Sequence, residues 1–172
     1  MKQNRYNRAV SFFLTALLAA LFSAAACGKK EAPPLRIDLD KGIALRLPAG
    51  WALKKKERKK NILTGGAVKD GGAEIIAAVC PARNIPFDRQ VQQDRNNLNL
   101  RKGYSILMEK NREIRGYPAY NFIATSVKAG KRFKSNIILF QKDSTLFYIT
   151  LKAEVSSYEQ AIRDFKQMIE RI

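Results

Sequence analysis

The sequence predicts an α+β domain in which an antiparallel sheet is flanked by helices, and three observations carry that prediction. Short runs of alternating apolar and polar residues, joined by turns containing Gly, Asp or Pro, occupy most of residues 35–153. One run, Ile75-Ile76-Ala77-Ala78-Val79-Cys80, is continuously apolar, as a central strand covered on both faces would be. The chain closes on Tyr158, Ile162, Phe165, Ile169 and Ile172 at helical spacing, which predicts an amphipathic helix lying on one sheet face. With 172 residues, 46% of them hydrophobic and 27% charged, the composition is that of a single globular domain.

The elements follow in order. Ile37 and Leu39, then Ile43, Leu45 and Leu47, alternate with polar residues around Asp40-Lys41-Gly42 and predict a hairpin. Pro48-Ala49-Gly50 stops it, and Trp51 and Leu53 open an extended segment that the basic run from Lys54 to Lys60 interrupts. Residues 62–68 and 73–80 flank Lys69-Asp70-Gly71-Gly72, and Asp-Gly between two apolar runs is a strong hairpin signal. Pro81 ends the second run. Pro86 suits the first turn of a helix reaching about Leu100, with Phe87, Val91 and Leu98 on one side. Four longer strands over residues 104–114, 119–128, 133–142 and 146–153 are separated by Gly116-Tyr117-Pro118, Ala129-Gly130-Lys131 and Asp143-Ser144, which predicts an antiparallel meander. Ser156 with Glu159 reads as a capping box for the last helix.

Ahead of the domain stands an export signal. Lys2, Arg5 and Arg8 precede an uncharged run from Ala9 to Ala26 that ends in small residues directly before Cys27. The string from Leu21 to Cys27, followed by Gly28-Lys29-Lys30, resembles the lipobox of bacterial lipoproteins. The resemblance implies cleavage of residues 1–26, diacylation (palmitate being a typical chain) of the Cys27 thiol, and acylation of the new amino terminus. Gly28 stands where Asp would retain such a lipoprotein in the inner membrane, which implies the outer membrane facing the periplasm. Ala24-Ala25-Ala26 also satisfies the A-x-A rule of ordinary signal peptidase, which would leave Cys27 unlipidated, and an uncleaved run would remain as an anchor. All three outcomes place the domain outside the cytoplasm. Residues 27–34 then read as a short tether whose charged and proline residues reach about 28 Å at most.

Composition excludes more than it selects. The chain has no histidine, which removes the commonest general base and metal ligand and every Ser-His or Cys-His nucleophile. Two cysteines build neither a structural zinc site nor a disulfide framework, so no metal and no cofactor is expected. No catalytic residue is marked by motif spacing, and the chain reads as not an enzyme. The acidic pairs Asp38 with Asp40 and Asp70 with Glu74 read as turn residues. Cys80 reads as a buried, inert thiol, and Trp51, Tyr117 and Tyr120 as core or turn-packing aromatics.

The formal charge of +17 falls to +14 once the three basic residues of the leader are removed, and it is spread over both halves of what remains. Two clusters concentrate it. Lys54, Lys55, Lys56, Arg58, Lys59 and Lys60 enclose a lone Glu57, and Lys131, Arg132 and Lys134 follow a hairpin turn. Both are candidate sites for a polyanion such as anionic lipid, lipopolysaccharide or an acidic protein face. The alternative for the longer run is a solvated loop whose lysines keep a sheet edge from pairing. Export sets nucleic acid aside as a partner.

LRLPAGW from Leu45, IRGYPAYNFIAT from Ile114, and LFYITLKAE followed by YEQAIRDFKQMIERI, together with the order of elements, resemble the PsbP-like family, which includes DcrB-type bacterial lipoproteins. The resemblance covers residues 35–172 and implies a PsbP-like α/β/α sandwich. Members serve as photosystem accessory proteins, envelope lipoproteins and a Ran-binding factor, so the fold alone assigns no function. Histidine metal sites of photosynthetic members do not carry over to a chain without histidine. The expectation is a non-catalytic envelope binding or accessory module anchored in the membrane through acyl chains. A carrier of a small apolar ligand, held between sheet and helix, is the alternative.

Overall fold

A computed structural model describes residues 35–172, and Pro34–Ile172 separates as one compact unit. The signal segment, Cys27 and the tether lie outside the described residues. The predicted first hairpin forms as β1 (Arg36–Asp38) and β2 (Ala44–Arg46), a two-stranded sheet of its own. A seven-stranded antiparallel sheet follows from β3 (Trp51–Lys59), β4 (Ile62–Lys69), β5 (Ala73–Pro81), β6 (Tyr104–Ile114), β7 (Tyr117–Lys128), β8 (Lys131–Lys142) and β9 (Thr145–Glu154). Helix α1 spans Phe87–Asn99 and α2 spans Tyr158–Glu170. The strand order β3-β4-β5-β9-β8-β7-β6 makes α1 the crossover that carries the chain from β5 to the far edge, from which the meander returns to pair β9 with β5.

Period-two alternation sends β9 residues Phe147, Ile149, Leu151 and Ala153, with Ala73, Ile75, Ala77 and Val79 of β5, to one face. There they meet Ile37, Leu45 and Leu47 from the hairpin side and Ile162, Phe165, Met168 and Ile169 from α2, all buried in one cluster. The opposite face packs Phe122, Leu139 and Leu146 against Val91 and Leu98 of α1. Helices thus flank both faces of an antiparallel sheet, as predicted.

Four local expectations need correction. The basic run does not interrupt a strand. It continues β3 to Lys59, with a β-bulge between Lys54 and Glu57, because an outermost strand needs a partner on one side only and leaves Lys56, Arg58 and Lys59 in water. Strand β5 is covered on one face only in part: Ile76 is 42% exposed, because α1 lies over the β6 to β9 half of the sheet. The capping box is absent, since Ser157 is the N-cap and its hydroxyl donates to the Glu154 carbonyl instead of closing on the helix. Glu74 is a strand residue, 2.5 Å from the Lys54 ammonium, and Asp38 pairs with Arg36, so neither acidic pair is a pure turn feature.

Two long side chains tie α2 to the first face. The indole of Trp51 and the ammonium of Lys69, paired across β3 and β4, both donate to one carboxylate oxygen of Asp164, at 2.9 and 2.6 Å. Burial raises the Asp164 carboxyl, but the bonds from Lys69 and Trp51 and the charges of Lys69 and Arg163 outweigh it and hold the group below its ordinary value.

Candidate functional site

The two basic clusters are built differently. Alternation along β3 directs Lys54 and Lys59 to the α1 face, and the bulge turns Lys56 and Arg58 to the other, with Lys55 on the strand between them. Lys56, Arg58, Lys59 and Lys60 are exposed. Lys54 is held by Glu74, while Lys59 approaches Glu57 at 3.9 Å across water-exposed side chains, a contact worth little. Arg58 and Asn61 line a polar recess of about 280 Å³ with Asp40, Ser144 and Thr145.

Lys131, Arg132 and Lys134 open β8 at the other end of the sheet. Lys131 lies 2.5 Å from Glu154, and Lys134 lies 3.7 Å from Glu159 and 4.4 Å from the centre of the Tyr158 ring. The register puts this cluster level with Trp51, Lys69 and Lys128, whereas Lys59 and Lys60 stand level with Pro81 and Asp143. The Lys59–Lys60 end of the run therefore lies at the opposite end of the sheet from the second cluster, and Lys54, nearer to it in level, is separated from it by β4, β5 and β9.

A cavity of about 190 Å³ lies between α1 and the sheet, lined by Leu98, Phe122, Ile137 and Leu139 with Asp94 and Tyr148 at its polar side. The Tyr148 hydroxyl donates to Asp94 at 2.9 Å, and the amide nitrogen of buried Gln90 reaches both, at 3.2 Å to Asp94 and 3.4 Å to Tyr148. Burial, then the Asp94 charge, pushes the Tyr148 phenol far above its ordinary value, so it remains a donor. Sequence reading settled on Phe87, Val91 and Leu98 and missed this wall. Its signal was present: Gln90, Asp94, Asn97 and Arg101 recur at helical spacing beside the apolar stripe.

The remaining candidates fall into structural roles. Cys80 is half-buried, with its thiol pushed up first by burial and then by Asp94 against the opposing charge of Arg83, which disfavours a reactive thiolate. Trp51 is core. Tyr117 stacks under Lys142 at 5.6 Å. Tyr120 donates to Glu109 at 2.8 Å and accepts from Arg95 at 2.9 Å, bridging α1 to the edge strand β6.

No family model and no curated protein sequence matches the chain. Solved structures do match its fold. PA94 of Pseudomonas aeruginosa, a protein of unknown function, is 14% identical with a TM-score of 0.55, over 81% of this chain and 95% of that one. LpqN of Mycobacterium tuberculosis, involved in cell envelope biogenesis, is 15% identical with a TM-score of 0.57, over 83% and 85%. The cyanobacterial PsbP of Synechocystis sp. PCC 6803 is 10% identical with a TM-score of 0.56, over 83% and 94%. The fold is PsbP-like.

Proposed function

We propose that the protein is a non-catalytic accessory module of the bacterial cell envelope that binds an anionic partner through its basic edge strand. Anionic lipid, lipopolysaccharide and an acidic protein face share the chemistry this surface would recognise. The observation that carries the reading is the placement of Lys54, Lys56, Arg58 and Lys59 on an outermost strand, where a backbone ladder on one side holds exposed positive charge at set positions on both faces. The lipobox-like string supports anchoring through acylated Cys27, and Gly28 supports the outer membrane facing the periplasm. The fold likeness to an envelope-biogenesis protein is compatible with that placement.

A photocrosslinker at Lys60, in the full chain in intact envelopes, tests this. It should capture an acidic protein or lipopolysaccharide, and one at exposed Lys166 on α2 should not. Equal yields from both positions would overturn the reading. The cavity under α1 favours a second reading, the carrier, but its 190 Å³ is below the roughly 300–1,000 Å³ of small-molecule sites and fits only a small apolar group. Binding of a small fluorescent apolar probe that Leu98→Trp abolishes would favour it.

A further inference from the structure

Three connections far apart in sequence meet at the end of the sheet where Trp51 opens β3: residues 100–103 after α1, the β7–β8 turn, and residues 155–157 before α2. Backbone bonds join them. The Val127 amide donates to the Gly103 carbonyl at 3.2 Å and the Val155 amide to the Arg132 carbonyl at 3.0 Å. Ala129 and Gly130 both take positive φ, +49° and +74°, so the β7–β8 turn is tight and sets Lys128 beside Lys131.

Three aliphatic side chains stand out from this end: Leu100 is 83% exposed, Val127 58% and Val155 46%. Around them stand Arg101, Lys102, Lys128, Lys131 and Arg132, all exposed. Residues 100–103, 127–132 and 154–157 hold a single acid, Glu154, which Lys131 occupies. Scattered exposed aliphatics are ordinary on a soluble surface, but three on hydrogen-bonded connections that also carry five exposed cations combine the groups a bilayer interface requires. Short apolar tips enter the headgroup boundary while the cations pair with lipid phosphates.

We infer that this three-loop end is a docking surface for an anionic phospholipid bilayer. The inference rests on the envelope placement proposed above, but it assigns the membrane to a different surface from the basic edge strand. The posture that follows leaves the β3–β4 turn pointing away from the bilayer, free for another partner.

Residues 34–172 form a compact unit with its own core, so they are suited to testing without the upstream segment. In a Cys80→Ser background, Val127→Cys or Lys60→Cys carries an environment-sensitive fluorophore and meets vesicles of equal phosphatidylglycerol and phosphatidylcholine. The label at 127 should shift to the blue, the label at 60 should not, and pure phosphatidylcholine should move neither. Combining Arg101→Gln, Lys102→Gln, Lys128→Gln and Arg132→Gln should weaken vesicle affinity by at least about tenfold, since each basic residue near an anionic surface contributes roughly fivefold. Leu100→Ser with Val155→Ser should reduce the blue shift at 127. No response at 127 overturns the inference. A response at 60 alone overturns it and leaves the edge strand standing as the anionic site, whereas a response at 127 with failed crosslinking at 60 upholds it and removes the edge-strand reading.

Discussion

The two faces of the sheet are closed to different degrees. On one, the β1–β2 hairpin and α2 meet the inward rows of β5, β8 and β9, and buried side chains from all of them form a single cluster. On the other, α1 covers four strands, leaves Ile76 of β5 in water, and shelters a cavity and a polar network of Gln90, Asp94 and Tyr148. The closed face is where the chain holds itself together. The half-open face and the rims are where charge, recesses and exposed apolar groups remain for other molecules. A fold of this kind can vary its rims without touching the layer that stabilises it.

The largest expected effect tests the closed face. Phe165 of α2 is fully buried there, so Phe165→Ala should cost about 3–5 kcal/mol, read from chemical denaturation. On the half-open face, Leu98→Ala enlarges a cavity that already exists, and its cost should fall near the lower limit for such changes, about 2 kcal/mol. An equal cost at both positions would erase the distinction between the faces.

A smaller effect concerns the clip that fastens α2. The Asp164 carboxyl is held below its ordinary value, so the stability it contributes is present above the unfolded pKa of about 3.9 and disappears as pH falls through the folded value. Asp164→Asn should cost about 1–2 kcal/mol at neutral pH, and the difference from wild type should narrow as pH falls below the unfolded carboxyl value of about 3.9. Thermal unfolding from pH 2.5 to 7 checks this, and a gap that does not narrow in acid would mean that the Trp51 and Lys69 contacts act by packing alone.

The closed face was largely legible in the sequence because its signals are local. Alternation named the strands, and the spacing of Tyr158, Ile162, Phe165 and Ile169 named the helix that covers them. What sequence could not show was which strands would lie at an edge. Lys54–Lys60 read as an interruption because a run of charge is incompatible with a central strand, yet it is compatible with an outermost one. The three-loop end was legible only at Lys131 and Arg132, because Leu100, Val127 and Val155 become neighbours through hydrogen bonds spanning distant segments. The wall of the cavity was half legible: helical spacing placed Gln90, Asp94 and Asn97 together, but only the fold supplies Tyr148 to meet them.

The central claim is that the basic edge strand serves binding and is dispensable for folding. Replacing Lys55, Lys56, Lys59 and Lys60 together by Gln, and measuring thermal unfolding alongside affinity for lipopolysaccharide at low and physiological salt, tests it most directly. Each substitution should change stability by no more than about 0.5 kcal/mol, leaving the transition nearly in place. Affinity at low salt should fall at least about tenfold, and the deficit should shrink as salt screens exposed charges over about 8 Å at physiological ionic strength. Affinity equal to wild type at low salt would contradict the claim, and a large drop in melting temperature would show that the lysine stems cover core.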